Sequence, residues 1–269
     1  MILTETAKTT YASEAGHWYG RDGSSQYEVV GNSGQKRPAT LRDARKLGLV
    51  PSVTTIIKCA AAPGLEVWKQ QQMMMSALTL PRRPDEREAA WLERVIQDSK
   101  ETGRNAADRG TLIHGAIQGF YEGKPVEPGM LAHCHGVDTA LAATFGSGLP
   151  WTAEASFAHP MGFGGKVDIH TAGMMEVVAD FKTKEFDDPL KKMAYDEHCM
   201  QLAAYRVGLG IPQARCANVF CSVTKPGLVV VHEWTATELV NGWRMFCALL
   251  DFWQAKSGYE SGWNVQAAA

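Results

Sequence analysis

The sequence predicts a mixed α/β fold, a central β-sheet flanked by helices, and three observations carry that expectation. Helical periodicity runs from Asp85 to Phe145. Three strand-like runs then follow across short turns, WTAEASFAHP, GFGGKVDIHT and MMEVVADFKTK, which together read as a meander. A helix, two further strands and a closing amphipathic helix complete the chain. At 269 residues, with 45% hydrophobic and 21% charged residues, it is long enough for one large domain or two small ones. We expect one globular domain over residues 51–269 with an N-terminal arm over residues 1–50. The formal net charge of -2 gives no bulk attraction to nucleic acid, so any such binding must rest on local patches.

Residues 1–50 are polar and Gly-rich. HWYGRDGSSQYEVV suggests a hairpin and TLRDARKLG a short basic helix. Lys36, Arg37, Arg42, Arg45 and Lys46 cluster there, either as a solvated arm or as a phosphate-binding one. PSVTTII is a short β-branched run. After the Pro63-Gly64 break, a helix carries Leu65, Trp68 and the methionines Met73, Met74 and Met75, which are expected as core filler. The helical pattern from Asp85 to Gly123 is expected to break around Gly103. In its second half Gly110, His114, Ile117 and Tyr121 share one face. A lone histidine on an apolar helix face is ordinarily a satisfied core residue. In the next helix, Pro128 to Phe145, His133 and His135 point in different directions.

The meander holds the residues of greatest chemical interest. Asp180 and Lys182 are two apart on its last strand and so project from one face. An antiparallel partner brings Asp168 toward Asp180, and Glu154 on the first strand is a neighbour of Asp168. Two carboxylates and a lysine at a strand end suggest a divalent cation with a basic neighbour. A surface hairpin with a salt bridge accounts for the same residues. The following helix, about Asp188 to Leu209, places His198, Gln201 and Tyr205 on a shared face. Strands at ARCANVFCSVT and GLVVVHEWT meet at a Pro226-Gly227 turn. The last helix opens with a capping box, Thr235 to Glu238, and repeats Leu239, Trp243, Phe246, Leu250 and Trp253 as its core face.

The six cysteines, Cys59, Cys134, Cys199, Cys216, Cys221 and Cys247, form no C-x-x-C pair. Cys216 and Cys221 are an odd number of residues apart on one strand and face opposite ways, so buried free thiols are expected and no iron–sulfur cluster. No apolar run approaches the ~20 residues of a membrane span. Without a leader-like start at Met1, the expectation is a soluble, reduced, cytoplasmic protein.

RGTLIH with His114, GGKVDIH with Asp168, ADFKTK with Asp180 and Lys182, and QLAAY with Gln201 and Tyr205 occur in one order. In that order and on those elements the chain resembles the PD-(D/E)XK nuclease superfamily, specifically its RecB-type exonuclease branch. None of the four pieces is specific alone, and the set spans about Arg109 to Tyr205. The flanking PSVTTII and LEVWK stretches are similar to mitochondrial genome maintenance exonucleases and their phage relatives. Val178 and Ala179 stand before Asp180, where the family name places proline before its first acid.

The resemblance implies a restriction-endonuclease-like core and a role for each residue. Asp168 and Asp180 bind a catalytic Mg²⁺ or Mn²⁺, the Phe181 carbonyl completes the protein's share, and His114 adds a nitrogen ligand. Lys182 orients the nucleophile or neutralises charge. Glu154 joins the catalytic set by binding a second metal, holding a water, or pairing with a nearby base. Gln201, Tyr205 and Arg109 contact nucleic acid. The implied activity is a metal-dependent DNA exonuclease of phage or bacterial recombination or repair. It acts on single-stranded or duplex ends inside a bacterium or phage-infected host, with a recombination or replication protein as partner. A structure-specific or flap endonuclease on the same core is the alternative, as is an inactive nucleic-acid-binding module. The completeness of His114, Asp168, Asp180 and Lys182 speaks against inactivation.

Overall fold

The structure, a computed structural model, describes residues 16–31, 34–191 and 193–263. Short strands β1 (Trp18–Tyr19), β2 (Glu28–Val30) and β3 (Lys36–Pro38) lead to α1 (Leu41–Leu47), β4 (Val50–Pro51) and α2 (Val53–Ile57). Two long helices follow, α3 (Pro63–Thr79) and α4 (Glu88–Tyr121), then α5 (Leu131–Phe145). The main sheet is built from β5 (Thr152–His159), β6 (Phe163–Thr171), β7 (Val177–Lys184), β8 (Arg215–Ser222) and β9 (Val229–Trp234). Helix α6 (Asp196–Gly208) links β7 to β8, and α7 (Ala236–Ser257) closes the chain.

The five strands lie in the order β5-β6-β7-β8-β9. All neighbours are antiparallel except β7 and β8, which run parallel because the chain crosses over through α6. The sheet is covered on both faces, which is why β7 and β8 read as almost continuous apolar runs. Val177, Ala179 and Phe181 of β7, with Ala217, Val219 and Cys221 of β8, pack against Ile113 and Ile117 of α4 and Leu141 and Phe145 of α5. Val178 and Cys216 point the other way, into a core shared with α2, α6 and α7. Cys216 and Cys221 thus occupy two different cores, as their spacing predicts.

The sheet is not uniform. β6 and β7 pair only at Thr171↔Val177, His170↔Val178 and Ile169↔Ala179, and no ladder pair joins them beyond Ala179, where the sheet forks. Across the same level, β5 and β6 pair at Ala153↔Ile169 and Ala155↔Val167 but skip Glu154 opposite Asp168. Glu154 there adopts φ 61°, a left-handed conformation for a residue with a side chain. On β6, Phe163 and Val167 belong to the α6–α7 core, whereas Ile169, of the same parity, belongs to the α4–α5 core. Side chains of one parity stay on one face unless the strand turns, so the strand changes face at Asp168.

Several elements differ from the sequence expectation. Helix α4 runs unbroken through Gly103, which lies beside the Trp68 ring of α3. Met73, Met74 and Met75 are exposed rather than core filler, because α3 packs on α4 and turns its remaining surface outward. The β-branched run after Pro51 forms the short helix α2, since the Ser52 hydroxyl accepts the Thr55 N–H at 3.0 Å and caps it. Helix α6 begins at Asp196, not Asp188; the preceding stretch is held as a loop by Lys184 Nζ, which donates to the Met193 carbonyl at 2.8 Å.

In the stretch expected as an arm, β1, α1 and β4 contribute buried residues to the globular unit while β2 and β3 form a largely exposed hairpin, and residue 50 lies in β4. Trp18 is buried in the α6–α7 core, donates to the Ala39 carbonyl at 3.2 Å and meets Trp253 edge-on. The basic cluster there is largely committed: Arg37 pairs with Asp43, Lys36 with Glu28, and Arg45 donates to the Ser257 carbonyl. The capping box opening α7 is present, with Thr235 N–H donating to Glu238 Oε2 at 2.8 Å. No helix among the described residues is long and apolar enough to cross a membrane.

Phe157 of β5 lies flat against Gly208, the last residue of α6, where a Cβ would collide with its ring. Gly208→Ala should therefore destabilise the fold by about 1–3 kcal/mol, overriding the helix propensity that alanine gains. Urea unfolding measures this, and an unchanged or raised midpoint would show that the α6–β5 contact is looser than described.

Candidate active site

The fork between β6 and β7 determines the local chemistry. A strand that leaves its partner strands backbone groups, and buried groups of that kind must be paired. Here the Phe181 N–H is taken by Asp168 Oδ2 at 2.7 Å, so the carboxylate fills the gap the ladder has left. On the adjoining turn of β7, Asp180 is only 2% exposed. Its Oδ1 accepts from Gln201 Nε2 at 2.8 Å, and its Oδ2 accepts from Asn218 Nδ2 at 3.0 Å and from Lys182 Nζ at 2.7 Å. Lys182 also donates to Gln201 Oε1 at 3.1 Å, and Gln201 Nε2 donates to the Tyr205 hydroxyl at 2.9 Å.

His114 enters from the other side of the sheet. Its Nδ1 lies 3.8 Å from Asp168 Oδ2, and its ring meets Phe181 edge-on at 6.0 Å. Helix α4 comes this close because residue 110 has no side chain: a Cβ there would lie 2.8 Å from the Thr183 hydroxyl of β7. The predicted helix face of Gly110, His114 and Ile117 thus serves as packing surface with one functional residue set into it.

Burial and charge act on these groups together. Burial, reinforced by the Asp180 charge, pushes the Asp168 carboxyl up to about 7 against the pull of Lys182. Burial draws Lys182 down, but the charge and hydrogen bond of Asp180 outweigh it and hold the ammonium above its ordinary range. Burial lowers His114, against the opposing pull of the Asp180 charge, and so disfavours the imidazolium form. Tyr205 is held well above the ordinary phenol range by burial and by the two carboxylates.

The structure gathers His114, Asp168, Asp180, Phe181, Lys182, Gln201 and Tyr205 at one place. Gln201 and Tyr205 are buried, and their polar atoms serve the acid–lysine cluster. Glu154 stands opposite Asp168 in register but spends its carboxylate on Lys166. Arg109 is exposed, off the helix face that carries His114. His198 shares the α6 face yet works locally: its Nδ1 accepts the Tyr195 N–H at 3.3 Å, and burial pushes it down to about 4. Sequence reasoning missed Asn218, whose signal was a lone amide within the apolar run of β8.

Among the described residues no three His, Cys, Asp or Glu side chains cluster as a ready metal cage. The donor types at the fork, two carboxylates, a backbone carbonyl and a neutral imidazole, nevertheless fit a hard divalent cation that keeps open water positions. Asp168, Asp180, the Phe181 carbonyl and His114 would hold such a cation, and Lys182 now pairs with Asp180 Oδ2.

No protein-family model matches the chain, and neither does any of the curated proteins. Solved structures do. SSO0001 is similar at 14% identity, covering 69% of this chain and 86% of its own, with a TM-score of 0.30. An alkaline exonuclease from Laribacter hongkongensis is similar at 16% identity, covering 50% of this chain and 77% of its own, with a TM-score of 0.28.

A buried carboxyl whose pKa is raised on folding contributes stability that is present below its unfolded value and lost as pH rises through the folded one. For Asp168 that window runs from about 4 to about 7. Asp168→Asn should therefore stabilise the metal-free protein by about 1–3 kcal/mol at pH 8 and leave it nearly unchanged at pH 4. Unfolding in urea with a chelator at both pH values checks this; a loss of stability at pH 8 would mean that the carboxylate is satisfied without a cation.

Proposed function

We propose that this chain is a metal-dependent nuclease with a PD-(D/E)XK core that hydrolyses DNA phosphodiester bonds, acting on strand ends in phage or bacterial recombination or repair. The observation that carries this reading is the meeting of Asp168, Asp180 and Lys182 with His114 at the forked end of β7. Two acids and a lysine could be a structural ion pair. A structural pair, however, gives no reason to set a second, partly buried carboxylate beside the first, nor to open the sheet at that level.

Asp168, Asp180 and the Phe181 carbonyl would hold Mg²⁺ or Mn²⁺, with His114 adding its imidazole. The cation, when bound, supplies Lewis acidity and lowers the pKa of water. The chain's residues do the rest. Lys182 keeps its proton and neutralises charge growing on the scissile phosphate, a preorganised electrostatic role rather than that of a free base. Gln201 fixes both Lys182 and Asp180 from one amide, so the acid and the cation keep their spacing. Tyr205 in turn holds that amide.

Lys182→Ala should abolish cleavage, by at least about 10²-fold, while DNA binding is retained. The imidazole in the shell predicts that Mn²⁺ supports activity at least as well as Mg²⁺. Digestion of end-labelled DNA, linear and circular, single-stranded and duplex, with each metal tests both. Cutting of circles would make the enzyme an endonuclease; undiminished cleavage by Lys182→Ala would remove the catalytic assignment; no cleavage of any substrate would leave a binding module.

A further inference from the structure

Behind Asp180 lies a buried polar pair that the proposed chemistry does not use. Asn218 of β8 is fully buried, and an amide in that position is costly unless both its ends are paired. Its Nδ2 donates to Asp180 Oδ2 at 3.0 Å, and its Oδ1 accepts from the Trp234 indole Nε1 at 2.7 Å. The parallel ladder sets Asn218 directly beside Asp180. The antiparallel ladder pairs Asn218 with His232, two residues before Trp234 on the same face of β9. Three neighbouring strands therefore contribute one residue each to a chain of hydrogen bonds that ends on Asp180.

The chain has a direction fixed by chemistry. An indole N–H only donates, and a carboxylate only accepts. The Asn218 amide satisfies both in one orientation, while a flipped amide would oppose donor to donor and acceptor to acceptor. Trp234 thus dictates that Asp180 meets a donor. Of the donors on Asp180, Lys182 is the most exposed, a long side chain a quarter accessible, whereas Asn218 and Gln201 are buried.

We propose that Asn218 and Trp234 are positioning residues: Trp234 orients the Asn218 amide, which holds the Asp180 carboxylate turned toward the fork when Lys182 yields its place to a divalent cation. This inference rests on the nuclease reading above.

The test uses the full chain and three variants, Trp234→Phe, Asn218→Leu and the double variant, beside Trp253→Phe as a buried tryptophan of the same core without this bond. Mn²⁺ binding is measured by titration calorimetry, cleavage as separate kcat and KM, and folding by urea unfolding. The double variant removes the indole donor and the amide acceptor together and leaves Asp180 Oδ2 with Lys182 as its donor, so its unfolding midpoint should fall while the transition stays cooperative. It should bind Mn²⁺ about 10–100-fold more weakly and lose kcat with KM for DNA unchanged. Trp234→Phe should lie between it and the wild type, and Trp253→Phe should match the wild type. Wild-type Mn²⁺ affinity and kcat in both Trp234→Phe and the double variant would overturn the proposal. So would an equal loss in Trp253→Phe. A wild-type protein that cuts DNA but shows these results would sink this inference alone; one that neither binds Mn²⁺ nor cuts would sink the nuclease reading with it.

Discussion

A carboxylate buried in the middle of a sheet has to be surrounded by donors, and Asp180 sets that requirement for half the molecule. It interrupts the apolar run of β7 at a point where both faces are covered, and it is 2% exposed. An isolated charge there would be prohibitively costly. Gln201 comes from α6, Asn218 from β8 and Lys182 from β7 itself, so the crossover helix and the parallel strand are both anchored on one side chain. The parallel β7–β8 pairing is what makes this arrangement possible, because it brings a residue far along the chain into register beside the acid.

The second constraint is the fork. Where β6 and β7 part, the sheet can no longer satisfy its own backbone, and Asp168 caps the freed Phe181 N–H. The same opening lets His114, carried by the helix layer on the opposite face, approach Asp168. Residues from two layers meet at a gap that a regular sheet would have closed. The cost is visible in Glu154, which takes a left-handed backbone where β5 passes the same level. Weakened acidity at Asp168 and a retained proton on Lys182 follow from packing two acids and one base into this space.

Local periodicity made much of this legible from the sequence. The meander, the shared face of Gln201 and Tyr205, the opposed thiols of Cys216 and Cys221 and the Thr235 capping box all depend on spacing within one element. What was not legible depended on partners. Gly103 breaks no helix, because α4 continues through it and packs against α3. Met73, Met74 and Met75 look like core residues until α3 is seen to pack on α4 and leave them exposed. Glu154 is aligned with Asp168 by the register, yet Lys166 on the next strand captures it. Asn218 is the clearest case: an amide in an apolar strand signals only that something must pair with it. Its partners lie 38 residues away at Asp180 and 16 residues away at Trp234.

Metal-dependent cleavage at this site requires the fork to take a divalent cation. A crystal of the full chain soaked in Mn²⁺ and measured near the manganese absorption edge answers this directly. The account predicts one strong anomalous peak in the fork, bonded to Asp168, Asp180 and the Phe181 carbonyl with His114 beside it, and Lys182 moved off Asp180 Oδ2. Lys182 still paired with Asp180 and no peak among these residues at saturating Mn²⁺ would contradict it, leaving a buried ion pair in place of a catalytic centre.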